Sequence, residues 1–213
     1  MGNSDGNFCN RACRNKHEWR SLLRARRLLL ADLERRCLEE AVAQVLRLLD
    51  DVRILGVYWP MQAEPDLRAV FSAWEARTGG QLAYPRCTGF GRMEYALPAD
   101  WAPDAEGIHS PTGKAVIPSV LFVPCLGWSK RGFRLGYGKG YFDRYIAPLG
   151  SRVSVIGLGW ESGMVPDGLF GANDCPLDGI LTARGWHAAA EKRIPAQDAC
   201  AGILDRLRPL SVD

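Results

Sequence analysis

Between Arg134 and Tyr145 the chain reads RLGYGKGYFDRY, with glycines at 136, 138 and 140, Lys139 between the last two, and Asp143 shortly after them. Glycine lets backbone amides approach an anion and adopt positive φ, and a helix beginning at Tyr141 would turn its N-terminal dipole to the same point. Phosphate is the ligand this favours. Lys139 would supply a point charge, and Asp143 stands where a carboxylate could hold Mg²⁺ beside it. A P-loop needs Ser or Thr after Gly-Lys, whereas Lys139 is followed by Gly140 and Tyr141. A dinucleotide fingerprint needs its third glycine one residue later. On the glycines alone, a ligand-free turn between a strand and a helix is an equal reading.

Other residues could join such a site. Lys16 and Arg20 are one helical turn apart, so both can point at one polyanion, although two exposed cations on a basic helix would look the same. Glu64 lies just past an expected strand end, a usual place for ligands in open α/β sheets; the other reading is a helix-start carboxylate before Pro65. His17, His109 and His187 are too scattered to suggest a general base, and Cys125 has no His-Asp set to make it a nucleophile.

Elements that would position these residues follow from the hydrophobic pattern. Residues 1–15 are rich in Gly, Asn and Ser without apolar period, which predicts a mobile arm before one domain over 16–213. From Lys16 the spacing predicts a helix with Trp19, Leu22, Leu23 and Leu30 on one face and Arg20, Arg24 and Arg27 on another. Asp32 could cap a second helix, and Pro65 could open a third that runs to Gly79-Gly80. Strands are expected over Val52–Trp59, Leu82–Tyr84, Met93–Leu97, Val120–Val123 and Val153–Leu158, with a possible hairpin inside Gly80–Leu97 and a helix over Tyr141–Ala147. Strands interspersed with helices favour an α/β sheet.

Composition sets the limits. The chain has 213 residues, 47% hydrophobic and 24% charged, the balance of an ordinary globular domain. Twenty-seven basic against 24 acidic residues leave a net charge of +3, too slight to imply nucleic acid without a located patch. The basic residues are dense from Arg11 to Arg36, where an RNA-contacting arm is the alternative to a solvated helix face. Seven cysteines without a C-x-x-C pair argue against a zinc site, and there is no membrane-length apolar run or secretion signal. A cytoplasmic protein with reduced thiols is expected.

The stretch PCLGWSKRGFRLGYGKGYFDRY resembles the signature of the 5-formyltetrahydrofolate cyclo-ligase family. Lys16 and Arg20 resemble that family's N-terminal Lys-x-x-x-Arg, YWPMQAEPD over Tyr58–Asp66 is similar to its strand-end segment, and DCPLDGILT over Asp174–Thr182 resembles its closing motif. The resemblance implies a single three-layer α/β/α domain with a sheet of mainly parallel strands, similar to sugar-phosphate isomerases and CoA transferases. It implies ATP- and Mg²⁺-dependent conversion of 5-formyltetrahydrofolate to 5,10-methenyltetrahydrofolate with release of ADP and phosphate, by a monomer with neither a nucleic-acid nor a membrane partner. A non-catalytic nucleotide- or RNA-binding protein on the same fold is the rival expectation.

By the same resemblance, Lys16, Arg20, Arg134, Gly136, Gly138, Lys139, Gly140, Tyr141 and Phe142 contact ATP, with Lys139, Arg134 and Tyr141 acting in catalysis. Trp59, Glu64, Tyr137, Gly138, Lys139, Gly140 and Tyr141 would bind the folate, and Asp143 and Asp178 would share Mg²⁺. Without the resemblance, Asp178 is only a turn residue before Gly179. This chain departs from the family at Phe142, where a second tyrosine is usual, at Trp128-Ser129 in place of Phe-Asp, at Ser110 in place of Glu or Gln, and at Ser119 in place of Asp.

Overall fold

Val120–Pro124 (VLFVP) and Ser154–Leu158 (SVIGL) are buried at every position, the pattern of parallel strands covered on both faces. Their side chains alternate: Val120, Phe122, Ile156 and Leu158 enter one core, while Leu121, Val123 and Val155 enter another. The computed structural model describes residues 15–29, 32–62, 64–190 and 201–212. In chain order the strands are β1 Ile54–Gly56, β2 Gln81–Gly89, β3 Arg92–Ala96, β4 Trp101–Pro103, β5 His109–Pro111, β6 Ala115–Val116, β7 Val120–Pro124, β8 Gly127–Trp128, β9 Arg134–Leu135, β10 Ser154–Leu158, β11 Gly179–Thr182 and β12 Gly185–Ala188.

Eight of them form a sheet in the order β12-β11-β10-β7-β1-β2-β3-β6, parallel from β11 through β2 and antiparallel at both margins. The other four make two small antiparallel ribbons, β4 with β5 and β8 with β9. Helices α1 (Lys16–Arg27), α2 (Asp32–Arg47), α3 (Arg68–Thr78), α4 (Tyr141–Ile146) and α5 (Ala201–Leu207) accompany the strands, with short 3-10 turns among these elements. One sheet face is covered by α2, α3 and α5 through Leu38, Val42, Val45, Leu46, Phe71, Trp74, Ile203 and Leu207. The opposite face is covered by α4 and the turn after it through Ile146 and Leu149. The expected mixed, mostly parallel α/β sheet with helices on both sides is what forms.

Several local expectations change. Residues 1–14 of the expected arm lie outside the described residues, but Asn15 is the cap of α1, its Oδ1 accepting from His17 and Glu18 backbone N–H groups. The long strand expected over Val52–Trp59 shortens to β1 before Pro60. The third helix starts at Arg68 and not at Pro65, because the Pro65 carbonyl accepts the Tyr58 hydroxyl at 2.7 Å and is held outside the helical ladder. On α1, Leu23 is buried as expected, but so is Arg27, whereas Leu30 lies outside the described residues. The hairpin within Gly80–Leu97 forms as β2 and β3.

Candidate active site

β1 has β2 on one side and β7 on the other, so successive crossovers leave it in opposite directions. The carboxyl ends of strands at such a switch point open a crevice that connections cannot cover. Tyr58 and Trp59 follow β1, and Pro124 closes β7; all three line a cavity of about 1080 Å³. The glycine-rich segment and α1 form one end of this cavity, and the β4–β5 ribbon forms the other.

The first end is cationic. Lys16, Arg20, Arg24, Arg134 and Lys139 all line it, together with Gly136, Tyr137, Gly138, Gly140, Tyr141 and Phe142. Arg134 is buried on β9: its Nη1 donates to the Pro124 carbonyl at 3.1 Å, its guanidinium packs 4.6 Å from the Phe142 ring centroid, and its Nη2 is 4.0 Å from Asp143. Arg20 Nε donates to the Gly136 carbonyl at 2.8 Å. A Cβ on Gly136 would stand 2.6 Å from the Arg134 guanidinium, so glycine there allows the two arginines to close on the segment. Gly138 has φ +102, which most residues with a Cβ avoid.

The glycine-rich segment is also tied from outside. Arg144 Nη2 donates to the Lys139 carbonyl at 2.7 Å and its Nε donates to the Gly91 carbonyl at 2.8 Å, joining the segment to the β2–β3 turn. Arg27 sits beneath, donating to the Cys125 carbonyl and, at 3.3 Å, to the Tyr137 hydroxyl. Lys16 Nζ pairs with Asp174 at 2.5 Å, and Lys139 Nζ pairs with Glu106. The helix that starts at Tyr141 has six residues, so loop amides and these cations, more than a helix dipole, set the potential here.

At the second end, Trp59 and Trp101 lie 5.1 Å apart between ring centroids, Tyr84 and Trp101 5.2 Å, and Trp101 and His109 5.7 Å. This is an aromatic wall against which a flat ring can stack. Glu64 lies buried in the cavity wall, its Oε2 accepting the Met61 backbone N–H at 3.0 Å. Desolvation raises its pKa above the ordinary carboxylate range, partly offset by that hydrogen bond and by the charges of Arg27 and Arg134. Cys125 is fully buried and its thiol is pushed up to about 12, in keeping with no nucleophilic role.

Of the expected site residues, all but one line this cavity. Asp178 does not: it stands just before β11, where its Oδ2 accepts the Val155 backbone N–H at 2.7 Å and ties β10 to β11. Its Oδ2 is thus engaged with the sheet backbone, away from the lining that carries Asp143. Asp143 lines the cavity, with Oδ1 3.3 Å from the Cys175 N–H that donates to it. Among the described residues no group of three His, Cys, Asp or Glu side chains could hold a metal alone. Asp174, Glu106, Arg27 and Arg144 were not anticipated; the first had a sequence signal, as the opening residue of DCPLDGILT.

A family profile for 5-formyltetrahydrofolate cyclo-ligases matches residues 11–183. The chain belongs to the 5-formyltetrahydrofolate cyclo-ligase family. Two curated 5-formyltetrahydrofolate cyclo-ligases, from Mycoplasma pneumoniae and Mycoplasma genitalium, are 42% and 37% identical to it over 41 residues, a stretch that spans only 25% of each relative. The solved 5,10-methenyltetrahydrofolate synthetase of Mycoplasma pneumoniae superposes with a TM-score of 0.66 at 20% identity, covering 79% of this chain and 98% of that one. That of Aquifex aeolicus gives 0.66 at 26% identity over 85% and 96%.

At two positions where the sequence departs from the cyclo-ligase family's usual residues, the replacement side chain has structural work. Phe142 lies under the Arg134 guanidinium, and Trp128 donates from Nε1 to the Trp160 carbonyl at 2.8 Å. Ser119 joins its neighbours through backbone bonds to Ile54 and Ser154 that any residue would supply, so the structure gives no reason for serine there.

Proposed function

We propose that the protein catalyses the ATP- and Mg²⁺-dependent cyclisation of 5-formyltetrahydrofolate to 5,10-methenyltetrahydrofolate, releasing ADP and phosphate. The observation that carries this reading is the continuity of one cavity from a cationic glycine-rich end to an aromatic end with a buried carboxylate. The reaction needs both. A formyl oxygen is a poor leaving group; transfer of the γ-phosphoryl group to it lets N10 attack the formyl carbon, lose its proton and expel phosphate.

In this reading Lys16, Arg20, Arg134 and Lys139 orient the phosphates and offset the charge that spreads over them in transfer. Gly136, Gly138 and Gly140 let the backbone approach, Tyr141 contributes its hydroxyl, and Phe142 supports Arg134. Trp59 with Tyr137 offers ring surfaces to the folate, and Glu64 holds its polar edge. Asp143 is the carboxylate suited to Mg²⁺, an ion that binds through one or two carboxylates and completes its shell with phosphate oxygens and water. Bound there, the ion would neutralise phosphate charge.

The rival of a basic helix that contacts RNA fits less well, because Lys16, Arg20 and Arg24 line the cavity and Arg27 is buried. No described helix is long and apolar enough to cross a membrane, and Cys37, Cys87, Cys125 and Cys175 are free thiols. A cytoplasmic monomer is part of the proposal. The test is to mix the protein with 5-formyltetrahydrofolate and Mg-ATP and follow methenyltetrahydrofolate absorbance in the near ultraviolet. Absorbance that rises only with ATP present is expected; none with folded protein overturns the reading.

A further inference from the structure

The turn between β4 and β5 is built to present Glu106. Asp104 Oδ1 accepts the backbone N–H groups of Glu106 at 2.9 Å and of Ile108 at 3.0 Å, and its Oδ2 accepts that of Cys87 at 2.7 Å. One carboxylate thereby shapes the turn and fastens it to β2. With its own amide held, Glu106 reaches across the cavity mouth by its side chain alone. Its Oε2 takes Lys139 Nζ, and its Oε1 accepts the Tyr141 hydroxyl at 2.5 Å.

Those are two donors of the glycine-rich segment, and a carboxylate that engages both makes the same demand as two oxygens of a phosphoryl group. Carboxylate and phosphoryl group carry the same sign and need the same hydrogens, so they exclude one another. We propose that Glu106 is a latch: an internal competitor that a nucleotide triphosphate must displace to engage Lys139 and Tyr141. The inference rests on the reading of Lys139 as a phosphate contact. Lys139 is 66% exposed, which keeps the pair weak enough to release. Release uncovers Lys139 and Tyr141 while the turn itself stays fastened to β2 through Asp104.

Calorimetric titration with the Mg²⁺ complex of the β,γ-imido analogue of ATP tests this on the full chain. Glu106→Gln should bind about two- to fivefold more tightly than the parent, the scale of an exposed ion pair. Glu106→Asp, which keeps the charge but loses reach, should tighten binding likewise. Unchanged or weaker binding by Glu106→Gln overturns the latch, as does parent-like affinity in Glu106→Asp, since charge at a distance would then be responsible. Lys139→Ala separates the two levels. If it leaves affinity unchanged, Lys139 is no phosphate contact and both readings fall; if it weakens binding while neither Glu106 variant tightens it, only the latch falls.

Discussion

Arg20 Nε donates to the carbonyl of Gly136 at 2.8 Å, so the first helix holds the glycine-rich segment by its backbone while offering the rest of its guanidinium to the cavity. Lysine cannot do both, having a point charge and no planar fork. Arg20→Lys should raise KM for Mg-ATP by about tenfold, the cost of one hydrogen bond to a charged group, with a smaller change in kcat. Steady-state kinetics with folate saturating checks this, and an unchanged KM would remove Arg20 from the phosphate contacts.

Lys139 is exposed along most of its side chain and packs against little. Lys139→Ala should therefore leave the melting temperature within a degree or so of the parent while reducing kcat/KM for Mg-ATP by about ten- to a hundredfold. A large fall in Tm would mean that the pair with Glu106 supports the fold.

Asp143 and Asp178 should behave differently. Asp143→Asn should move the midpoint of an Mg²⁺ titration of activity upward with little effect on thermal unfolding. Asp178→Ala removes the acceptor of the Val155 N–H, so stability should fall by about 1–3 kcal/mol while the midpoint stays in place. The reverse pattern would restore Asp178 to the metal and dismiss Asp143.

Glu64 gives a pH signature. Burial raises its pKa on folding, so the protonated form favours the folded state. That advantage is full below the unfolded value of about 4.3 and is lost as pH rises through the folded value. Glu64→Gln, neutral throughout, should melt higher than the parent at about pH 8, and the gap should close as pH falls toward 4.3. Folate binding should weaken in the same variant. Parallel Tm curves across this range would show that Glu64 keeps its ordinary titration in the folded protein.

What could be read from the chain depended on length and on locality. Runs such as Val120–Val123 and Val153–Leu158 announce buried strands because they are short, largely apolar and β-branched, and RLGYGKGYFDRY announces its loop because glycine spacing has few other uses. β8, β9 and β6 have two residues each, too few for any period, and exist because neighbouring segments supply their partners. Arg27 was read as part of a polar face because charge predicts exposure; it is buried since the Cys125 carbonyl and the Tyr137 hydroxyl, both far along the chain, accept its hydrogens. Glu106 carried no motif at all. For Asp178 the motif offers a metal ligand, while its hydrogen bond to Val155 belongs to a strand register invisible in sequence.

Lys16 meets Asp174 across 158 positions of chain, and Arg20 meets Gly136 across 116. A ribosome makes the helix that carries both cations first and the groups that receive them much later. Until the segment around Asp174 has emerged, Lys16 lacks its counterpart, and before that the face around Leu23 has to wait for Leu126, Leu135 and Val165. The cavity is thus among the last features a nascent chain can complete, and nucleotide or folate can lend no binding energy to the early steps of folding. A cell short of either ligand would lose stability from the finished protein but would not slow its first collapse.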